Sequence, residues 1–380
     1  MKKFVLHSQN CIDNINLYRD SFGDYLINEV LAESILKELY NYPILTRDIF
    51  QHSLYEILTE NNNNKENNIL INACSFDYLV FKDKFLIKNN PHLILDGSVF
   101  IAKMLGIKNI DIVLKDYYLE EKDILLKAIV EFEDSKFTND IKISLYDEEL
   151  YYQENKIRIT PHYLENKKYV FDLETIAQFT YLAHIGELSF KNYGSSSLKG
   201  TYILSLSGDI IYPNIYEFEI GKSFKDIVKT AGNFDKDYSI KCVFTNGFLN
   251  PPMDIDTFLK MNLDYDITLG NGGICFIRED RCIIRVVLKI VKFAKTISCK
   301  KCMPCNYGFD LCEYYINRIL LGKSIFSDYS NLKDTVNMIY NLASCLYIKS
   351  LAYCILSTIE MFKDEFLYAV ENKITLYSFI

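Results

Sequence analysis

The segment "ISCKKCMPCNYG", residues 297–308, is the most informative stretch of the chain. It places Cys299, Cys302 and Cys305 three residues apart, and Pro304 stiffens the loop and removes one backbone donor. Three thiolates on one tight loop can face a common centre. Iron–sulfur clusters commonly combine such a clustered set with one distant cysteine. The spacing therefore predicts a metal site whose fourth ligand comes from elsewhere in the chain.

Three cysteines downstream of the loop could supply that ligand: Cys312, Cys345 and Cys354. Cys312 is expected on the next helix, displaced from the loop and buried, whereas Cys345 is expected at the end of a helical run, "MIYNLASC". A tetrahedral zinc ion also accepts four thiolates, but zinc sites usually use two Cys-x2-Cys pairs. Unliganded thiols are the remaining alternative. Spacing alone favours an iron–sulfur cluster and leaves the fourth ligand open.

Composition limits the class of protein. The net charge of −8 argues against a nucleic-acid binder held by phosphate contacts. The first ten residues have too short an apolar run for a signal peptide, and no later stretch reaches the length of a membrane span. We therefore expect a cytoplasmic protein without direct membrane insertion. In that reducing compartment, the eleven cysteines indicate metal or redox chemistry rather than disulfides.

The chain divides into three predicted regions. Residues 1–195 alternate helical and extended patterns, with strands expected at "NILINA" (68–73), "NIDIVLK" (109–115) and "DIKISLY" (140–146), which is typical of an α/β layer fold. Residues 196–283 give a hairpin, a short helix capped by Ser223 and further strands, the order of a small β-grasp domain. Residues 284–380 carry helical patterns throughout and predict a helical bundle that holds the cysteine loop.

The cysteine loop resembles that of the NADH-binding flavoprotein subunit of respiratory complex I, a family shared with the beta subunits of NADH-linked hydrogenases. The family motif reads Glu-Ser-Cys-Gly-x-Cys-x-Pro-Cys-Arg-x-Gly, against Ile297-Ser-Cys-Lys-Lys-Cys-Met-Pro-Cys-Asn-Tyr-Gly308 here. The family's later segment begins with a cysteine and continues to Leu-Ser-Thr and an acidic ending, which "CLYIKSLAYCILSTIEMFKDEF" follows from Cys345 without a gap. The resemblance thus implies a 4Fe–4S cluster on Cys299, Cys302, Cys305 and Cys345.

The resemblance extends through most of the chain. Residues 200–233 resemble the family's soluble-ligand-binding β-grasp (SLBB) module, and residues 72–97 follow the family's segment that begins Asn-Ala-Asp-Glu. By this alignment Asn72 is a retained cofactor-binding residue. Glu148 and Glu149 stand where the family has the last two residues of Gly-Glu-Glu, so they are candidate remnants of the cofactor site.

The flavin site departs from the family. The family binds FMN with a glycine-rich loop, but residues 41–58, "NYPILTRDIFQHSLYEIL", contain no glycine at the matching place. Side chains where backbone must touch a ligand block its approach. The sequence therefore predicts that tight FMN binding is lost, and with it flavin-dependent NADH oxidation by this chain.

These features together predict an iron–sulfur electron-transfer subunit of an NADH-linked oxidoreductase. The family implies partners: a small thioredoxin-like 2Fe–2S subunit and a larger multi-cluster or hydrogenase subunit. Two alternatives stay open. One is a flavoenzyme subunit that still binds FMN and NAD through a rebuilt pocket, and the other is a structural or assembly paralogue whose cluster only stabilises the fold.

Overall fold

The structure is a computed structural model that describes residues 12–26, 29–48, 51–60, 68–74, 79–115, 117–133, 140–146, 169–186, 190–264 and 268–375. Its first part is a parallel sheet of four strands in the order β3-β2-β1-β4. The strands are β1 (Asn68–Ala73), β2 (Asn109–Lys115), β3 (Asp140–Tyr146) and β4 (Val170–Asp172). The three strands predicted in this region are confirmed, and β4 adds the fourth.

Helices accompany the parallel sheet, as crossover connections between parallel strands require. They are α1 (Ile15–Phe22), α2 (Glu29–Asn41), α3 (Leu54–Thr59), α4 (Lys82–Asn89), α5 (Pro91–Met104), α6 (Leu119–Glu133) and α7 (Leu173–Ile185). The start of α5 follows from its sequence, because Asn90 accepts a hydrogen bond from the Leu93 amide at 3.1 Å and Pro91 occupies the first turn. Helices α5 and α7 pack closely at Gly97, where a Cβ would lie 2.0 Å from Thr180 Oγ1.

The second sheet has four strands in the order β6-β5-β8-β7. These are β5 (Thr201–Gly208), β6 (Asn214–Glu219), β7 (Ile240–Thr245) and β8 (Gly273–Arg278). The last strand lies in the middle, parallel to β5 and antiparallel to β7, while β5 and β6 form an antiparallel hairpin. Helix α8 (Phe224–Thr230) follows the hairpin, and α9 (Ile255–Lys260) lies between β7 and β8. The predicted cap of α8 is confirmed, since Ser223 Oγ accepts the Asp226 amide at 3.2 Å.

Helices form the C-terminal part, as predicted. They are α10 (Ile283–Ile297), α11 (Phe309–Leu320), α12 (Phe326–Leu342), α13 (Leu346–Met361) and α14 (Lys363–Asn372). Buried Glu365 of α14 ties this part to the second sheet, because it accepts hydrogen bonds from Ile283 N and from Lys241 Nζ, each at 2.8 Å. The bundle shares one hydrophobic cluster with Leu70 and Val113 of the parallel sheet. In the part of the chain that the structure describes, every helix is too short or too polar to cross a bilayer.

Candidate functional site

The cysteine loop connects α10 to α11. Helix α10 ends at Ile297, and a single π-helical turn, Pro304–Gly308, leads into α11. Lys300, which lies between the first two cysteines, takes a left-handed conformation, with φ of 52°. This left-handed residue stands where the family motif has glycine. Cys299 and Cys302 are half-buried and Cys305 is buried.

Cys345 approaches the loop from another part of the bundle. It is the residue that precedes α13, and α12 ends three residues earlier at Leu342. The expectation that Cys345 lies at the end of a helical run is therefore wrong by a few residues, because the chain is already extended at Ala343, where φ is −62° and ψ is 142°. Cys345 is buried and belongs to the same hydrophobic cluster as Cys305.

Three thiols influence one another in this region. The pKa of Cys305 is raised to about 12, chiefly by burial and also by the neighbouring sulfurs of Cys302 and Cys345, while the hydrogen bond from Ser298 acts to lower it. At Cys302 burial also acts to raise the pKa, but hydrogen bonds from the backbone N–H groups of Cys305 and Ser344 outweigh it and leave the pKa below its usual value. Cys302 and Cys345 thus lie near enough to Cys305 to affect its pKa, and Cys299 lies on the same loop as Cys302 and Cys305.

Two more groups complete the surroundings of the thiols. The hydroxyl of Ser298, which is fully buried, hydrogen-bonds the sulfur of Cys305 and also accepts the Lys300 amide at 3.1 Å. Cys312 and Cys354 lie fully buried inside helices, where burial raises the pKa of each. The predicted burial of Cys312 is confirmed.

Among the described residues, the His, Cys, Asp and Glu side chains form no group of three or more that could hold a metal ion.

Asn72 lies near the carboxyl end of β1, opposite Asp172 of β4 and Val113 of β2. Ligands of parallel α/β sheets bind at this edge. The Asn72 side chain accepts a hydrogen bond from the Cys74 amide at 3.1 Å, and Asp172 accepts the Thr175 amide at 2.8 Å as the cap of α7. Glu148 and Glu149 fall outside the described residues.

The segment that stands where the family has its glycine-rich loop lies against this edge of the sheet. Arg47 N donates to Asp172 Oδ2 at 2.8 Å and fixes the segment to β4. Other described backbone N–H groups also donate within the protein: Thr46 to His52 O, Gln51 to Asp48 Oδ1, His52 to Thr46 Oγ1 and Leu54 to Ile44 O, at 2.8–3.0 Å. These amides are already used by the chain itself.

A buried group of charges joins this segment to the rest of the edge. Glu174 is fully buried and accepts Arg47 Nε at 3.1 Å, Lys82 Nζ at 2.5 Å and the Ile203 amide at 2.9 Å. Burial alone would lower the pKa of Arg47, but the carboxylate of Glu174 more than compensates and raises it. The Arg47 guanidinium also lies over the ring of Tyr202, 4.0 Å from its centroid. Sequence patterns did not identify the Arg47–Glu174 pair, because its members are 127 residues apart.

Two parts of the chain match known protein families. Residues 285–369 match the NADH-ubiquinone oxidoreductase-F iron–sulfur binding region, and residues 55–162 match the Nuo51 FMN-binding domain. The chain belongs to the family of the NADH-quinone oxidoreductase F-type subunits and their hydrogenase relatives. The predicted resemblance is thereby confirmed, as are the N-terminal α/β domain of the FMN-binding type and the helical 4Fe–4S binding region.

Members of the family are distant from this chain. The NADH-quinone oxidoreductase F-type subunit of Mycobacterium bovis is 29% identical over 207 residues, which cover 53% of this chain and 46% of that protein. The NADP-reducing hydrogenase subunit HndC of Solidesulfovibrio fructosivorans is 27% identical over 56% of this chain and 44% of its own length. The matched segment thus spans about half the length of these relatives. The corresponding NADH-quinone oxidoreductase protein of Aquifex aeolicus is 24% identical over 78% of this chain and 76% of its own length.

A solved structure has the same fold over most of the chain. The NAD+-reducing [NiFe]-hydrogenase in the H2-reduced state superposes with a TM-score of 0.77 and 19% sequence identity. The superposition covers 92% of this chain and 64% of the hydrogenase chain. The fold of the family is therefore retained even where its sequence motifs are not.

Proposed function

We propose that this family member is an iron–sulfur electron-transfer subunit that has lost its flavin site. The observation that carries the proposal is a contrast within one chain. The cysteine region contains thiols from two separate segments of the chain. By contrast, residues 41–58 lie at the carboxyl edge of the parallel sheet, which we call the flavin-related edge. Backbone amides of this segment donate hydrogen bonds within the protein, and Arg47 forms a buried ion pair with Glu174.

The cluster ligands we propose are Cys299, Cys302, Cys305 and Cys345. Each thiolate of a 4Fe–4S cluster binds a different iron atom, so its ligands are spread more widely than those around one zinc ion. Hydrogen bonds from Ser298 and from the amide of Ser344 reach the sulfurs of Cys305 and Cys302, and such contacts tune the potential of a cluster. When bound, the cluster would carry single electrons. The protein supplies the thiolates, the hydrogen bonds and the apolar surroundings.

Residues 41–58 do not have the features of a phosphate-binding loop. A phosphate cradle needs backbone N–H groups that point to the ligand and room for the chain to approach it. In this segment the described amides of five residues are already donated within the protein, and the Arg47 side chain is buried there. The match to the FMN-binding domain begins only at residue 55, near the end of the segment. Both observations support a site that does not hold FMN.

A second candidate function is a subunit that still binds FMN and NAD. It is favoured by the match of residues 55–162 to the FMN-binding domain and by Asn72, which keeps its position at the carboxyl edge of the sheet. In that case Asn72, Glu148 and Glu149 would contribute to the cofactor site.

We infer three domains, 1–195, 196–283 and 284–380. The second sheet, with its last strand central and parallel to its first, supports a β-grasp domain of the SLBB type. From the family we infer that the chain works within a complex, beside a small 2Fe–2S thioredoxin-like subunit and a multi-cluster or hydrogenase subunit. Its donor and acceptor would be clusters of those partners.

The test is a set of assays on one anaerobically purified sample: iron, acid-labile sulfide and extracted flavin. We expect about four irons and four sulfides per chain without flavin. About one FMN per chain would contradict the loss of the flavin site and support the second candidate. A full cluster that is never reduced or oxidised reversibly would indicate a structural role. Absence of iron after anaerobic purification would contradict the cysteine assignment.

A further inference from the structure

A cavity of about 550 Å³ is lined by residues of the second sheet, of α10 and of the connection between β1 and α4, and by none of the residues of the cysteine loop. Ligand pockets of small organic molecules typically have volumes of roughly 300–1,000 Å³. Its inner wall is formed by buried side chains that are apolar or carry a thiol: Leu79, Phe248, Cys275, Ile277 and Cys282. Val286 and Phe293 of α10 line the facing wall.

The two thiols count as part of the apolar lining. Burial raises the pKa of Cys275 to about 12 and also raises that of Cys282. Both sulfurs are therefore neutral at physiological pH and add no charge to the cavity. A neutral buried thiol behaves as a small hydrophobic group.

The charged side chains of the cavity are mostly cationic: Arg281, Arg285, Lys289 and Lys292 line it. Among the described lining residues, Asp209 is the only carboxylate, and Arg281 Nη2 already binds it at 2.7 Å. Lys289 and Lys292 are exposed at the surface of α10, where Lys292 Nζ lies 3.9 Å from Glu313 Oε1, whereas the apolar side chains lie deeper. The cavity thus joins an apolar interior to a cationic mouth, on a chain whose net charge is −8.

We propose that this cavity binds a small organic anion with an apolar body, such as an aryl or acyl carboxylate or sulfonate. The apolar part would lie against Cys275 and Ile277, and the anionic group would face Lys289 and Lys292. A polyanion such as nucleic acid fits poorly, because the acidic chain would repel it and the inner wall offers it no polar partner. This inference is independent of the proposed electron transfer.

The probe is 8-anilinonaphthalene-1-sulfonate, compared with N-phenyl-1-naphthylamine, which has the same rings without the sulfonate. With the anaerobically purified protein we expect the fluorescence to saturate at about one bound sulfonate per chain, because a cavity of this volume holds one small molecule. The double variant Lys289→Gln, Lys292→Gln should weaken binding of the sulfonate roughly tenfold, since two partly exposed charges are removed. Binding of the uncharged analogue should not change.

Two further variants make the result specific. Lys225→Gln with Lys229→Gln removes two exposed lysines of α8 that do not line the cavity, and it should leave binding of both probes unchanged. Val286→Trp should fill the cavity and weaken binding of both probes, with folding checked by circular dichroism. Non-saturable fluorescence, or binding that neither the Lys289/Lys292 pair nor Val286→Trp alters, would overturn the proposal. Equal losses in the α8 control would overturn it as well.

Discussion

Arg47 and Glu174 form a buried ion pair, with Arg47 Nε and Glu174 Oε1 3.1 Å apart. The pair joins the segment before α3 to the start of α7, and Lys82 Nζ binds the same carboxylate. One carboxylate therefore serves two buried cations. An uncompensated buried charge is costly, so separating Glu174 from Arg47 and Lys82 is unfavourable. The three charges therefore hold the segment before α3 and the start of α4 against α7.

We expect Glu174→Gln to destabilise the protein by about 3–5 kcal/mol, since it removes the buried carboxylate that pairs with Arg47 and Lys82. The measurement is urea unfolding of the anaerobic protein. Glu371→Gln changes an exposed residue at the end of α14 and should alter the free energy of unfolding by less than about 0.5 kcal/mol. Similar losses in the two variants would mean that the buried group does not stabilise the fold.

Removal of the fourth proposed ligand should empty the cluster site. We expect Cys345→Ala to lower bound iron far below the level of the unchanged protein, because an iron–sulfur cluster of this type needs four thiolates. Cys354→Ala is the matched control: it removes a buried thiol nine residues further along, within α13. The iron content of both variants after anaerobic purification is the measurement. Retention of iron in Cys345→Ala and its loss in Cys354→Ala would reverse the assignment.

The sequence predicted local features well. The capping of α8 by Ser223, the strands at 68–73, 109–115 and 140–146, and the burial of Cys312 all follow from patterns within a few residues. The cysteine loop was found because its three thiols are close in sequence. Its link to Cys345 needed the family resemblance, since spacing left three candidates open.

Other features could not be predicted because distant segments create them. Arg47 reads in the sequence as an ordinary charge in a loop, and only the fold places it against Glu174 and Tyr202. The same holds for the hydrogen bond of Ser344 to Cys302, which joins the ends of two helices to the loop. The cavity beside α10 depends on a sheet and a helix meeting, so the spacing of residues along one helix could not reveal it.

His92 should make stability fall in mild acid. Its ring is fully buried between Tyr25 and Glu131, with Nε2 3.0 Å from Glu131 Oε2. Burial lowers the pKa of His92, although Glu131 acts in the opposite direction and Lys127 and Arg19 contribute to the lowering. Because the unfolded chain then binds a proton more readily than the folded one, acidification below about pH 6.5 favours unfolding.

The measurement is urea unfolding of the unchanged protein and of His92→Gln between pH 7.5 and pH 5. We expect His92→Gln to be less stable at pH 7.5, where the neutral imidazole contributes its full stabilisation. The difference between the two proteins should shrink as the pH falls through about 6.5, since only the histidine form takes up the additional proton on unfolding. A difference that is constant over this range, or one that grows in acid, would show that His92 does not titrate as argued.

Lys300 carries strain that the family avoids. Its φ of 52° lies in the left-handed region, which costs a residue with a side chain about 1–2 kcal/mol, and the family motif has glycine there. Glycine would remove that cost but add about 0.5–1 kcal/mol of conformational entropy in the unfolded chain. Lys300→Gly should therefore raise the free energy of unfolding by about 0.5 kcal/mol, measured by urea unfolding under anaerobic conditions.

Lys301→Gly is the neighbouring control, because Lys301 is exposed and does not take a positive φ. The Lys301→Gly variant relieves no backbone strain, but glycine still increases the conformational entropy of the unfolded chain. The substitution should therefore destabilise the protein by about 0.5–1 kcal/mol. The two substitutions remove one lysine each, and any effect of charge near the thiols is shared by both. Opposite signs for the two variants would support a strained backbone at Lys300, whereas equal destabilisation would mean that the loop gains nothing from glycine at this position.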